Sequence, residues 1–170
     1  MSFNSIPEFS FSLINNRDPD TIKALKNALT THGFFTITDH GIDDDLLSAS
    51  YSMSKKFFEL EEATKNTYAH PEMGGARGYT PFGKETALGE TTPDLKEFWH
   101  HGPITDDSFD ARITSNINVA ELPEFNSQFD GLFNDLNLLG MKVLSAIAVI
   151  LHKEPNFFDD WVSKGNSLLR

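Results

Sequence analysis

The chain has 170 residues, 39% of them hydrophobic and 15 of them Phe, so it can pack a core and is too apolar for wholesale disorder. Acidic residues outnumber basic ones 25 to 14, a net charge of −11, and the basic footprint that nucleic-acid binding needs is missing. Cys is absent, which excludes disulfides, thiolate metal ligands and a Cys nucleophile.

From Ile6 to Ile14 the residues alternate, with Phe9, Phe11 and Leu13 on one side and Glu8, Ser10 and Ser12 on the other, which predicts a strand. Asp18-Pro19-Asp20 then opens a helix: an Asp cap, Pro at the first helical position, and a second acid at the positive end of the dipole. Ile22, Leu25 and Leu29 form its apolar stripe, and Gly33 ends it. The β-branched and aromatic run 34–38 reads as a buried strand, and Asp39-His40-Gly41 as a turn. A second helix runs from near Asp43 to about Leu60, with Leu46, Tyr51, Met53, Phe57 and Leu60 near helical spacing, and a short helix follows over 61–68. Gly and Pro between 71 and 89 argue for loops with an extended piece at 79–82, then a strand over 95–101 and loop over 106–121.

The clearest element is the last long one. From about Pro123 to Lys153, apolar residues recur every three or four positions (Phe125, Phe129, Leu132, Leu136, Leu139, Val143, Ile147, Leu151). This predicts a helix on the order of 40 Å long. Its first half keeps a polar side, whereas its second half is apolar nearly all round, as in a helix buried on several faces. The most apolar stretch, 143–151, is about half what a bilayer needs, so no membrane span is expected. Pro155 stops the helix, a short amphipathic helix covers 156–164, and Gly165 releases the chain into Ser167-Leu168-Leu169, which looks like an opening strand. The order of elements predicts an α+β arrangement with helices backing a sheet. The N-terminus carries no basic region followed by an apolar one, and with Cys absent the expectation is a cytoplasmic protein.

Candidate chemistry is sparse. His70-Pro71-Glu72 has the His-x-carboxylate spacing of a two-His, one-carboxylate iron site, but Pro separates the pair and Gly74-Gly75 follows, so it reads as a loop. His100 and His101 are adjacent on a predicted strand and point to opposite faces, which prevents joint chelation. His40 reads as a turn residue bonded to backbone, and His32 and His152 as helix C-terminal residues. No phosphate-binding Gly loop and no Gly-x-Ser-x-Gly elbow is present. Arg77, Tyr79, Lys84 and Glu85 place cations, a phenol and a carboxylate in one Gly-flanked segment that can project into a cleft; surface ion pairs are the plainer alternative.

Several stretches together resemble one family. Ile6-Pro7-Glu8-Phe9-Ser10, Gly33-Phe34-Phe35 with Asp39-His40-Gly41-Ile42, and Phe57-Phe58 with Leu60 and Lys65 are similar, in order, to the isopenicillin-N-synthase-like iron(II)- and 2-oxoglutarate-dependent oxygenases. Arg77-Gly78-Tyr79-Thr80-Pro81-Phe82-Gly83-Lys84-Glu85 and Asp94-Leu95-Lys96-Glu97-Phe98-Trp99-His100 closely resemble bacterial members. Leu122-Pro123-Glu124-Phe125, the long helix and 166–170 follow in the family's order.

The resemblance implies the N-terminal helical and sheet portion of a double-stranded β-helix (jelly-roll) oxygenase, cut before its catalytic barrel. Residues 1–121 would form the N-terminal oxygenase domain, 122–165 the long buttressing helix and a short helix, and 166–170 the start of the barrel. It implies Fe(II) and 2-oxoglutarate in the complete enzyme, with decarboxylation to succinate and oxidation of a small-molecule substrate. The iron ligands and the basic residue for 2-oxoglutarate come later in complete members, so no residue here is carried over as catalytic or metal-ligating, and neither cofactor is expected on this chain. Arg77, Tyr79 and Glu85 would lie near the barrel mouth and contact substrate. The chain alone is expected to be inactive. Alternatives are a free-standing module that binds a protein partner or self-associates through exposed apolar surface, and one half of a split enzyme that meets its missing C-terminal half.

Overall fold

The computed structural model describes residues 5–170, so the first four residues of the expected 1–121 domain lie outside the described residues. The chain divides into two compact units, one of residues 1–42 and 136–163, the other of residues 43–135 and 164–170. These boundaries differ from a division at 121 and 165, because the long helix contributes residues to both units.

In the first unit, β1 (Glu8–Ser10) pairs in parallel with β2 (Thr36–Thr38), Phe9 opposite Ile37. Between them lie α1 (Phe11–Asn15) and α2 (Pro19–Thr31), the crossover that a parallel pair requires. The alternating run from Ile6 to Ile14 is thus strand only for three residues. Helical turning after Ser10 brings Ile14, which a strand would place on the polar face, fully into the core, and leaves Leu13 exposed. Asp18 caps α2 by accepting from the backbone N–H of Thr21 at 2.9 Å and from its hydroxyl at 2.8 Å. Gly33 ends it at φ +80, its N–H donating to Ala28 O at 3.1 Å. The core is aliphatic: Ile14, Leu25, Ala146 and Ile150, with Phe9, Ile22, Leu29, Phe35 and Ile37 packed against it. Phe34 is exposed, so the second strand is shorter and less buried than its composition predicts.

In the second unit, α3 (Asp44–Phe58) and α4 (Glu62–Asn66) precede a 3-10 turn at Pro71–Met73. The antiparallel pair β3 (Gly78–Thr80) and β4 (Phe98–His100) follows, Tyr79 opposite Trp99. His101 and Leu169 form an antiparallel bridge through two backbone bonds of 2.9 and 2.8 Å, so the 167–169 segment extends this sheet. The core is aromatic. Phe57 packs against Trp99, Phe125, Tyr68 and Tyr79 at centroid distances of 4.8 to 6.2 Å, and Phe125 continues the stack to Phe129 at 4.6 Å. The Phe57 pairs with Tyr79 and Trp99 are edge-to-face and the others tilted, and aromatic pairs of this kind add about 0.5–1.5 kcal/mol each beyond area burial. Tyr51, expected on the inner stripe of α3, is 78% exposed. Its α3 neighbour Ser50 occupies the buried position instead, donating to Leu46 O and receiving a bond from Gln128 Nε2.

The long helix α5 spans Phe125–Ile150. Contrary to the expectation from the 143–151 stretch, its length and mean hydropathy of 1.4 over 18 residues are enough to cross a membrane. Its first half argues for a core helix all the same: Phe125, Phe129, Leu132 and Phe133 are buried, and Asp130 is engaged with buried His101. The second half is not enclosed on several faces. Ala146, Ala148 and Ile150 are buried while Leu138 is 60% exposed, and only 22% of the most apolar window is buried. The expected 156–164 helix is reduced to α6 (Asp159–Val162), beside which Phe157, Phe158 and Trp161 stack on one another.

Candidate functional site

The segment 77–85 carries the residues singled out from sequence, and the second unit's sheet and loops place them at different depths. Gly78 at φ +78 lies so close to Tyr68 O that a side chain there would clash. That close approach lets β3 dock under α4. Arg77 is 1% exposed. Its Nη1 donates to Ala76 O at 2.6 Å and to Asn166 Oδ1 at 2.9 Å, and a Cβ on Gly102 would overlap its guanidinium. Burial lowers the Arg77 pKa from its ordinary value.

Tyr79 is also buried, and its hydroxyl donates to Glu97, which receives Lys65 Nζ at 2.7 Å. Burial first, and the Glu97 carboxylate second, push the Tyr79 phenol well above its usual range. Lys65 also donates to Phe58 O at 3.1 Å and lies 5.7 Å from the Tyr79 ring centroid. The Lys65–Glu97–Tyr79 group is an interior polar knot that fixes α4 to β3 and β4.

Glu85 is reachable from solvent. It accepts from Lys96 Nζ at 2.6 Å and from Arg170 Nη2 at 2.7 Å, and Lys96 also reaches Asp94 at 2.8 Å. Hydrogen bonds from these two cations pull the Glu85 pKa down to about 2. Arg170 lies over the Phe98 ring, 3.8 Å from its centroid. The outcome is a half-exposed patch of two carboxylates and two cations, mutually paired, beside the Phe98 ring. Lys84 is exposed and stands apart.

The second unit also holds a buried polar group that no sequence motif signals. His101 is 1% exposed and its Nε2 lies 2.7 Å from Asp130 Oδ1, with Asn116 Nδ2 at 3.0 Å. Asn116 Oδ1 also receives the Gly102 N–H at 2.7 Å. Burial lowers the His101 pKa, the Asp130 bond and charge oppose that, and the Arg77 charge adds to it. The residues of this group are drawn from positions 101 to 130, and no spacing rule connects them. The Lys65, Tyr79 and Glu97 members of the neighbouring knot, by contrast, stood inside stretches that already resembled a family.

The metal question has a plain answer on geometry. Among the described residues, no three His, Asp or Glu side chains converge so as to hold an ion. His70 Nδ1 bonds Glu72 Oε1 at 2.8 Å on the 3-10 turn, a pair with no third ligand. His100 Nδ1 bonds Gly75 O at 2.5 Å while His101 faces inward, so the two rings diverge as adjacent strand residues must. His40 Nδ1 accepts from the Ile42 N–H at 3.2 Å, a turn contact. His101 offers its ligating nitrogen to Asp130 rather than to a shared vertex. The residues present do not fit an iron centre of two His and one carboxylate.

Residues 6–121 match the family model described as the non-haem dioxygenase in morphine synthesis N-terminal domain. A 2-oxoglutarate-dependent dioxygenase of Didymella fabae is 28% identical over 152 residues, which cover 84% of this chain and 46% of that protein. Among solved structures, a 2OG-Fe(II) oxygenase family protein of Caulobacter crescentus superposes with a TM-score of 0.78 at 38% identity, covering 96% of this chain and 54% of that one. A full-length Neurospora crassa protein solved in complex with alpha-KG gives a TM-score of 0.78 at 26% identity, covering 96% and 52%. The chain spans about half the length of the curated relatives it matches. By its family match, by its relatives and by a shared mixed fold of helices and strands, the chain belongs to the iron(II)- and 2-oxoglutarate-dependent oxygenases of the isopenicillin-N-synthase-like family, whose N-terminal portion it matches.

Proposed function

We propose that this chain is the N-terminal part of a non-haem iron(II)- and 2-oxoglutarate-dependent dioxygenase that oxidises a small molecule, and that the 170 residues alone do not turn over. The observation that carries the reading is a mismatch. The family's chemistry needs an iron with open positions, while the described residues bring no three metal-ligating side chains together. In this reading Fe(II) and 2-oxoglutarate belong to the complete enzyme, and no reaction step is assigned to a residue here. The 77–85 segment supplies the substrate-facing wall. Glu85 makes the contact with Lys96 and Arg170 beside it, and buried Arg77 and Tyr79 hold the wall's shape from behind. The charge balance and the absence of Cys support a cytoplasmic setting without nucleic-acid partners.

The test is direct. The purified chain is supplied with Fe(II), 2-oxoglutarate and ascorbate, and succinate and bound iron are measured. The expected result is no succinate above the protein-free background and no stoichiometric iron; catalytic succinate formation would defeat the proposal.

A second reading, in which this chain is a module for a partner chain or the missing C-terminal half, draws on one observation. Leu138, Leu151 and Trp161 are exposed within a single stretch of the first unit. Exposed apolar side chains mark contact sites where they adjoin one another. A monodisperse monomer that fails to bind a hydrophobic dye would count against it.

A further inference from the structure

Arg77 is the largest fully buried side chain in the structure, yet no carboxylate among the described residues pairs with it. Its Nη1 is satisfied by Ala76 O and Asn166 Oδ1. Its Nε and Nη2 are buried and have no partner among the described residues. Those two atoms form one edge of the planar guanidinium, with two parallel N–H groups that match the two oxygens of a carboxylate. One face of the group is already covered by Gly102, where any side chain would overlap it. Nearby His101 has a second orphaned atom, Nδ1, and its Nε2 is held by Asp130. Asp130 is therefore committed to His101 and Asn116 and does not neutralise Arg77.

Leaving a buried cation unpaired is costly, and so is leaving its donors unbonded. A ligand that answers both must be anionic, planar and bidentate. The geometry points to the Nε/Nη2 edge of Arg77 as a receptor for one carboxylate, separate from the exposed Glu85 patch and independent of the oxidation proposed above. Two sources carry that chemistry, a free small carboxylic acid and an acidic side chain of a second copy of the chain. Gly74 and Gly75, both at positive φ and with nothing within 4 Å of an added Cβ, precede Arg77 in the chain.

The experiment follows the Arg77 Nε–H by proton–nitrogen correlation NMR in the unmodified chain. Sodium formate is the probe, titrated at constant ionic strength against chloride, with formamide as the neutral control. A saturable shift of the Arg77 Nε–H with formate, absent with formamide, supports the free-acid source. Arg77→Lys keeps the charge but loses the fork, and is expected to weaken the formate response at least roughly tenfold, as read from a neighbouring Gly102 amide. A signal indifferent to formate but shifting on dilution of the protein supports the side chain of a second copy. A signal that responds to neither overturns the assignment, and because it is read on the unmodified chain, misfolding of a variant cannot imitate that outcome.

Discussion

The two units of this chain keep their interiors in different ways. The first is held by aliphatic side chains, Ile14, Leu25, Ala146 and Ile150, whose packing has no direction beyond shape. The second wraps aromatic rings around buried polar groups, Lys65, Arg77 and His101, each tied by hydrogen bonds of defined geometry. The hydrophobic effect drives both, but only the second specifies positions to within a bond length. The knot of Lys65, Glu97 and Tyr79 supplies that precision where α4 meets β3 and β4.

The sharpest way to break this contrast is to truncate one keystone in each core. Phe57→Ala removes a fully buried ring that touches five aromatic neighbours, and should cost about 3–5 kcal/mol. Leu25→Ala should cost about 2–5 kcal/mol in the first unit. Denaturant melts followed by Trp fluorescence measure both. Near-UV circular dichroism should lose more intensity for Phe57→Ala than for Leu25→Ala, because the stack of Phe57 on Trp99 and Phe125 lies in the second unit, while the first holds the separate Phe157–Phe158–Trp161 stack. Equal loss in both variants would mean that the chain melts as one body and that the contrast has no energetic meaning.

A somewhat smaller effect isolates the polar knot. Lys65→Met leaves Glu97 buried against Tyr79 without its cation, and should cost about 3 kcal/mol. Lys65→Met with Glu97→Leu removes both charges and should recover a large part of that loss, since replacing a buried pair by apolar groups is often neutral. A double variant no better than the single one would show that the Lys65 bond to Phe58 O, rather than the ion pair, holds α4 in place.

Legibility in the sequence follows the same division. Periodicity disclosed α2, α3 and α5, and Asp18-Pro19 marked the start of α2 almost to the residue. These are local signals, a cap and a stripe. The strand reading of 6–14 failed after Ser10 because alternation over so short a run is also compatible with one helical turn, and burial of Ile14 against Leu25 and Ile150 decides between them. Arg77 and Tyr79, in a Gly-flanked polar stretch, read as groups aimed at a cleft; their burial depends on Asn166, Gly102 and Glu97, which are neighbours only after folding. The family was visible from ordered motifs, whereas the His101–Asp130–Asn116 group had no local signal at all. In the second half of α5, composition predicted enclosure, but composition does not say what lies opposite an apolar face.

His101 yields a pH-dependent comparison. Burial lowers its pKa in the folded chain below the ordinary 6.5, the Asp130 bond opposing only in part, so the unfolded chain takes up a proton that the folded chain does not. Stability is then fully present above pH 6.5 and falls as pH drops below it, by on the order of 1 kcal/mol per pH unit until the folded pKa is reached. Thermal melts between pH 7.5 and 5.5 should decline for the parent chain and flatten for His101→Gln. A parent profile that is flat over this window would mean that Asp130 fully offsets the burial of His101.

The smallest effect returns to the first unit and to the directional contact that caps α2. Asp18 Oδ2 accepts both the backbone N–H and the hydroxyl of Thr21, and those bonds lower the Asp18 pKa from 3.8. A carboxyl lowered in this way contributes stability above its unfolded pKa and loses it as pH falls through the folded value. Asp18→Ala should therefore lower the melting temperature at pH 7 by a few degrees at most, with a smaller difference from the parent as the pH falls below 3.8. Asp18→Asn keeps an acceptor in place and should sit near the parent at neutral pH. If the Asn and Ala variants melt together, the cap bond contributes nothing beyond charge at the helix start, and the first unit is held by shape alone.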